Sequence, residues 1–367
     1  IEHPEVRSIW GFDKKLEELI LIPHKFKANV PMGRFDFFYY TDETYKFCEL
    51  NTDGTSAMNE ETPLSDVLLN SFAMKHFSEK YTIERYELYQ TWVDEVSSIY
   101  EEYKANGGQA SEKPFVIIMD YISKGSPLEF EVFKDTFIGS GYDCEIVSPE
   151  TLTYSDGHLY SEGKKVDIIY RRLVTRDMMD HYDELDALIQ GIKANKTCII
   201  GSIKSQIVHT KKYFEALHHE TVRQYFTSDE LDYIDQCIPF TKALLEDENF
   251  ESYVINKDKY IIKPIDYYAS KGVYAGKEFD SDSWTKILKE CIKEGYIIQE
   301  FCEKSNNENL YFEEDGHFEV KTVNNITGLF LYNEKLSGIF TRAGFNAVIS
   351  DLNDGYSLSS VVVKDYE

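Results

Sequence analysis

Gly33-Arg34-Phe35-Asp36-Phe37-Phe38-Tyr39-Tyr40 and Tyr45-Lys46-Phe47-Cys48-Glu49-Leu50-Asn51 decide the reading of this chain. Both runs are aromatic and rich in strand formers, and the polar link Thr41-Asp42-Glu43-Thr44 between them predicts a β-hairpin. Residues two apart on a strand share a face, so Arg34 points with Asp36 and Glu49 points with Asn51. If the register brings the two pairs together, two carboxylates, an amide oxygen and a guanidinium converge. The oxygens are hard ligands suited to Mg²⁺. The guanidinium suits charge developing on a phosphoryl or acyl oxygen. The same residues also fit a solvated strand face with cross-strand ion pairs. The loop that follows, Asn51-Thr52-Asp53-Gly54-Thr55-Ser56, is small and polar and favours a ligand site.

Around this hairpin the pattern changes along the chain. Residues 1–30 are expected to be helical, with Leu16, Leu19 and Ile20 at helix spacing, and helix returns over 64–105 until Asn106-Gly107-Gly108 stops it. A βαβ pattern begins at 114. PFVIIMD (114–120) is a short continuous apolar run, as in a buried parallel strand. A helix over 129–142, a strand over 144–149, a small hairpin around Ser155-Asp156-Gly157 and the strand VDIIYRRL (166–173) complete a Rossmann-like unit. It has no GxGxxG, so no dinucleotide is expected. After CIIGS (198–202) come helices to about 250. The strands KYIIKPI (259–265), YIIQEF (296–301), 318–332 and 336–344 follow, with a helix over 283–295. The last residues, which include Asn353-Asp354-Gly355, are expected to form a loose tail. The fold class expected is mixed α/β, divided into 1–112, 113–200 and 201–367.

Four further pieces carry possible chemistry. Lys263 leaves an apolar strand and can reach a phosphate as a point charge. The loop after it, Asp266-Tyr267-Tyr268-Ala269-Ser270-Lys271-Gly272, is partly made of small residues whose amides can turn onto phosphate oxygens. The strand end Gln299-Glu300-Phe301 offers backbone groups to a purine edge. Arg342 follows the strand LSGIFT, and Lys211-Lys212 open a helix. Each of these, alone, is also an ordinary strand end or surface cation.

Composition narrows the partners. The chain has 367 residues, 65 acidic against 39 basic, and a net charge of −26. Phosphate backbones need a basic surface, so nucleic acid is not an expected partner. The charge is compatible with a cationic substrate such as a polyamine, and equally with a merely acidic surface. No apolar run approaches the ~20 residues of a membrane helix. The start, IEHPEVRSIW, lacks the basic and apolar regions of a secretory leader. The six cysteines form no CxxC pair, so a reducing, cytoplasmic setting is expected. His218 and His219 are adjacent and diverge on a helix, so no shared metal is expected there.

In order and spacing, these pieces resemble the circularly permuted ATP-grasp ligases, and most of all the synthetase domain of glutathionylspermidine synthase and its relatives. The Arg34-x-Asp36 and Glu49-x-Asn51 pairs come first, and Lys211, Lys263, Gln299 and Arg342 follow. That order is the reverse of ordinary ATP-grasp enzymes, and the likeness spans roughly 30–345. The resemblance implies that Asp36, Glu49 and Asn51 bind Mg²⁺. It gives Arg34 and Arg342 the transferring phosphoryl group and acyl-phosphate oxygens, and Lys211 and Lys263 the ATP phosphates. Ser270, Lys271 and Gly272 form the phosphate loop, and Gln299, Glu300 and Phe301 the adenine hinge. Ser56 falls where the peptide substrate approaches. The implied activity is ATP-dependent amide formation between a carboxylate and an amine, with ATP and Mg²⁺ as cofactors. The phosphate loop departs from relatives that carry more Gly or an Arg, and the amidase domain of the bifunctional enzymes is missing, so glutathione and spermidine are not carried over. The loop after Lys263 and the segment 302–317 are candidate lids. Two other readings remain: a phosphotransferase that stops at a phosphorylated product, and an inactive nucleotide- or peptide-binding relative.

Overall fold

In the computed structural model, which describes residues 2–40, 42, 44–267, 270–303, 306–313, 315–350 and 354–365, every residue of the strand Phe115–Met119 is buried. Its alternate side chains enter two different cores. Val116 and Ile118 pack with Phe130, Phe133 and Trp92, while Ile117 and Met119 pack with Leu188, Ile189 and Leu173. A strand covered on both faces belongs to a parallel sheet. Here the spatial order is Cys198–Ile200, Ile168–Arg171, Phe115–Met119, Asp143–Val147, all parallel.

The hairpin forms as its pattern predicts, from Met32–Tyr39 and Tyr45–Asn51. It joins a six-stranded antiparallel sheet in which Met32–Tyr39 pairs with Phe318–Tyr332, which in turn pairs with Lys335–Gly344. Phe330, Tyr332 and Phe340 from this sheet enter the same core as Trp92, Val96 and Tyr170, so the two sheets are cemented through the helix Leu88–Ala105.

The second antiparallel sheet has the order Thr241–Ala243, Tyr296–Glu300, Tyr260–Pro264, Tyr274–Ala275. Ile262, Tyr296 and Ile298 point into one core with Trp284, Leu288 and Cys291. Those three lie at helix spacing on Ser281–Glu294, which Asp280 caps and Gly295 ends in the left-handed region, φ 76°. Because strands alternate, Ile261, Lys263 and Gln299 face the other way, toward the hairpin.

Several expectations are corrected. The N-terminal helix is two short pieces, Pro4–Arg7 and Lys14–Ile20. The long helix over 64–105 is broken into Met58–Asn70, Phe72–Phe77 and Leu88–Ala105, with a strand at Tyr81–Glu84. That strand pairs antiparallel with Val362–Asp365, so the C-terminal stretch is a paired strand and not a tail. Tyr356–Leu358 likewise pairs with Lys335–Gly344. The segment 302–317 contains a strand, Asn306–Phe312, paired with Phe318–Tyr332; a hydrogen-bonded ladder restrains it far more than a free loop. Tyr268 and Ala269, within the other candidate lid, and Asn353, in the expected tail, lie outside the described residues.

Candidate active site

The hairpin register sets Arg34 opposite Asn51 and Asp36 opposite Glu49. All four therefore share one face. Arg34 Nε donates to Asp36 Oδ1 at 2.8 Å and its Nη2 to Oδ2 at 3.2 Å. Asn51 Nδ2 donates to Asp36 Oδ2 at 3.2 Å and to Glu49 Oε1 at 3.5 Å. From the far end of the chain, Arg342 Nη2 donates to Asp36 Oδ2 at 2.7 Å and lies 3.7 Å from Glu49 Oε1. The Arg34 guanidinium also lies over the Phe340 ring, 5.0 Å from its centroid, and donates to the Ser56 carbonyl at 2.9 Å.

Two features make room for this cluster. The register slips by one residue between Asp36 and Phe37, so Cys48 is the extra residue of a β-bulge. Its carbonyl accepts a hydrogen bond from Lys263 Nζ at 3.1 Å. Opposite Asp36 stands Gly328, where an added Cβ would come within 2.6 Å of Asp36 Oδ1.

Two cavities meet at this cluster. The narrow one, about 680 Å³ with its open mouth included, runs between the hairpin and the second antiparallel sheet. Lys211, Lys263, Lys271 and Arg342 supply its positive charge and Glu49 and Glu300 its negative charge, and Phe38, Ile261, Ile326 and Ile349 are part of its apolar wall. The wide one, about 1590 Å³, extends from Arg34 and Ser56 to Asp120 and Arg172. Glu49, Ser270, Lys271 and Arg342 line both.

The electrostatics follow from this placement. Burial pushes the Glu49 carboxyl up, but Lys211, Arg342, Lys263 and Arg34 together pull it down to about 2. Glu49 is thus an anion at any ordinary pH, and its side chain keeps 29 % of its surface exposed. Burial lowers Lys211, opposed by Glu49 and reinforced by Lys263. Lys211 Nζ rests on the Tyr267 carbonyl at 2.8 Å. Its neighbour Lys212 points away and donates to the Ile9 carbonyl at 2.6 Å.

Not every expected residue reaches a cavity. Asp36 is 1 % exposed and lines neither. Both its oxygens are taken by guanidinium and amide donors, so it braces Arg34 and Arg342 and reaches a cation only if Arg342 moves off. Gln299 lines the narrow cavity, but its side chain accepts from Lys263 at 2.7 Å and donates to Thr241 Oγ1 at 2.8 Å. It fixes Lys263. The Glu300 amide donates to the Phe240 carbonyl and the Phe301 amide to the Lys259 carbonyl, each at 2.8 Å. Those two donors are committed inside the protein and are not open to a purine edge. Gly272 lines neither cavity; at φ +72° it turns the chain, with Tyr296 Oη 2.6 Å from where a Cβ would be. Ser270 and Lys271 do line the cavities, and Ser56 lines the wide one.

The donor set suits a hard cation. Glu49 and Asn51 offer one carboxylate and one amide oxygen on the cavity wall. Mg²⁺ typically takes one or two carboxylates and completes its shell with phosphate oxygens and water, so these residues fit it. Among the described residues no three His, Cys, Asp or Glu side chains converge as a metal cage.

Residues beyond the sequence expectations hold the site. Asp53 pairs with the buried Arg171 guanidinium and accepts from Thr175 N at 2.5 Å and Ser205 Oγ at 3.0 Å. It ties the loop after the hairpin to the end of the parallel sheet. Gly54 follows at φ +67°, where a Cβ would meet the Arg172 carbonyl at 2.5 Å. Asp120, Lys124, Asp177 and His209 line the wide cavity. The signal that could have found Asp120 and Arg171-Arg172 is a charge directly after a continuous apolar strand.

No family profile matches the chain, and no curated protein matches it. Among solved structures, D-cycloserine synthetase DcsG aligns over 67 % of this chain and 90 % of its own, with 11 % identity and a TM-score of 0.33. D-alanyl-alanine synthetase A from Vibrio cholerae aligns over 69 % and 89 %, with 12 % identity and a TM-score of 0.31. Similarity this low carries no functional argument. Any functional reading has to stand on the geometry above and on the sequence resemblance.

Proposed function

We propose that this chain is an ATP-dependent carboxylate–amine ligase of the circularly permuted ATP-grasp kind, with ATP in the narrow cavity and the carboxylate substrate in the wide one. The observation that carries the reading is the junction: Glu49, Lys271 and Arg342 line both cavities. A reaction that moves a phosphoryl group from one ligand to another needs two sites that meet at charged side chains of this kind. Lys211 and Lys263 hold the triphosphate. Bound at Glu49 and Asn51, Mg²⁺ would neutralise phosphate charge. The substrate carboxylate attacks the γ-phosphorus, the bond to ADP breaks, and an acyl phosphate results. The amine then attacks the acyl carbon, loses a proton, and inorganic phosphate leaves. Arg342 and Arg34, braced by Asp36, stabilise the oxygens that gain charge in both steps. The chain order, acidic hairpin first and cationic strands later, supports the permuted form. The division into 1–112, 113–200 and 201–367 is part of the same proposal.

The test is an ADP-release screen of the purified protein with Mg²⁺ against amino acids, short peptides and polyamines. A ligase releases ADP and phosphate only when both a carboxylate and an amine are present, and yields an amide. A stable phosphorylated product without an amide would instead mark a phosphotransferase. ATP binding without release, across the whole panel, would mark a binding protein.

A further inference from the structure

The strand Asn306–Phe312 is an open sheet edge, and it takes no part in the ligase reading. Its only strand partner among the described residues is Phe318–Tyr332. Asn324 pairs with both Asn306 and Gly344, so those two lie on opposite sides of it. On the Phe318 side of Asn324, neither Met32–Tyr39 nor Lys335–Gly344 continues. There Asn306–Phe312 and 318–323 project from the sheet as a two-stranded ribbon. Such a ribbon is marginal in water without a third strand or a packed face.

The two outer strands of the same sheet are covered instead. Tyr45–Asn51 lies against the helix Ser228–Cys237, with Tyr45 Oη 3.0 Å from Tyr233 Oη. Tyr356–Leu358 lies against Met58–Asn70, where Ser357 Oγ donates to Glu60 at 2.7 Å. Edges left open are normally blunted by lysine, proline or a bulge. Asn306–Phe312 reads Asn-Asn-Glu-Asn-Leu-Tyr-Phe, with no lysine and no proline. Its register with Phe318–Tyr332 runs without a slip.

The side chains of the ribbon sort by face. Leu310 stands opposite Val320, and Phe318 shares their side by alternation. The three are 60, 61 and 61 % exposed. Over 308–310 and 318–322 this face carries one charge, Glu308. On the other face Lys321 pairs with Glu313, sits 3.6 Å from Glu319 and lies 4.1 Å from the Tyr311 ring centroid. The charged pair Glu319 and Lys321 guards the edge of 318–323, which leaves Asn306–Phe312 as the less protected of the two.

Charge selects the occupant. The chain has 65 acidic and 39 basic residues, so a basic partner is drawn to its acidic surface and not to a nearly neutral strand. A nearly neutral edge fits a strand that is equally neutral, and the chain's own edge is one. We propose that Asn306–Phe312 pairs antiparallel with the same strand of a second copy, joining two six-stranded sheets across a two-fold axis. A two-fold contact of this kind is self-complementary. Full overlap puts the axis at Asn309, and Leu310 from both copies then lies on one face of the joined sheet. Seven paired residues make a contact smaller than the standard interface of ~1,600 Å², so the pair dissociates in the micromolar range. Both copies are acidic, so salt screens their repulsion and strengthens the pair. A contact between unlike charges would respond to salt with the opposite sign.

Analytical ultracentrifugation of the purified protein from about 1 to 100 µM, in about 0.05 and 0.5 M sodium chloride, tests this. The sedimentation coefficient should rise from monomer to dimer, at lower protein concentration in the higher salt. Leu310→Lys should weaken association about tenfold or more, because each substitution acts twice across the axis. Phe72→Lys, at a side chain 89 % exposed on the helix Phe72–Phe77, should leave it unchanged. Amide hydrogen exchange of the wild type gives a readout that needs no variant: the amides of 306–312 should exchange more slowly in the dimer than in the monomer. A monomer throughout would overturn the proposal and leave the edge to a strand of another polypeptide. A dimer weakened by salt, one untouched by Leu310→Lys, one weakened as much by Phe72→Lys, or one whose 306–312 amides gain no protection would each overturn it as well.

Discussion

Gly328→Ala is the substitution whose outcome the site geometry fixes most closely. Gly328 stands opposite Asp36 across the strand pair. An added Cβ lies 2.6 Å from Asp36 Oδ1 and 2.9 Å from Arg34 Cδ. Ordinary contact begins near 3.4 Å, so Asp36 Oδ1 has to retreat by about 0.8 Å. It cannot do so freely, because Arg34, Asn51 and Arg342 all hold that carboxylate. Overpacking of this kind costs about 1–3 kcal/mol, which lowers the melting temperature of a chain of this length by roughly 1–4 °C. Displacing catalytic groups by about 1 Å costs on the order of 10²-fold in rate. The assays are thermal unfolding followed by circular dichroism, and ADP release under the conditions in which the wild type turns over. Gly139→Ala is the control: nothing lies within 4 Å of its added Cβ at the end of the helix Pro127–Gly139. It should leave activity intact and stability equal or up to about 1 kcal/mol higher. A Gly328→Ala protein as stable and as active as the wild type would refute the claim that this glycine sets the Arg34–Asp36 geometry.

Glu49→Gln should abolish ADP release and remove the Mg²⁺ dependence of nucleotide affinity, with circular dichroism unchanged; retained turnover would count against its place at the junction. Arg342→Ala should lower turnover by ~10²–10³ and nucleotide affinity far less, and a loss confined to affinity would contradict its part in the chemistry. Asp53→Asn leaves the Arg171 guanidinium without its buried counter-ion, at a cost of about 3–5 kcal/mol. Burial raises the Asp53 carboxyl, but Arg171 and its other donors hold it below its ordinary 3.8. The stabilisation it brings is therefore complete above that value and is lost as pH falls below it. The gap in melting temperature between wild type and variant should narrow under acid.

Each pair was legible because strands alternate with period two, Arg34 with Asp36 and Glu49 with Asn51; that the two pairs share one face follows only from the register beyond the bulge. The bulge at Cys48 was not legible, since nothing local in Phe47-Cys48-Glu49 announces an extra residue; the slip is set by how the strand meets its partner. The buried parallel strand at 115–119 was readable from its apolar run. Tyr81–Glu84 was hidden because its partner, Val362–Asp365, lies 280 residues away and four residues carry too little periodicity to outweigh the helices around them. The contacts of Asp36 with two arginines were not legible, because a carboxylate on a strand looks the same whatever it faces, and Arg342 reaches it from Lys335–Gly344, 306 residues downstream. Asp53 and Arg171 were missed for a similar reason: each is an ordinary charge in its own segment, and the tie between them is a product of the fold.

Oxygen-18 placed in the substrate carboxylate and followed into the released phosphate tests the central claim most directly. If the two cavities exchange a phosphoryl group at Glu49 and Arg342, each amide formed sends one labelled oxygen into inorganic phosphate. Amide formation with the label wholly absent from phosphate would contradict the account.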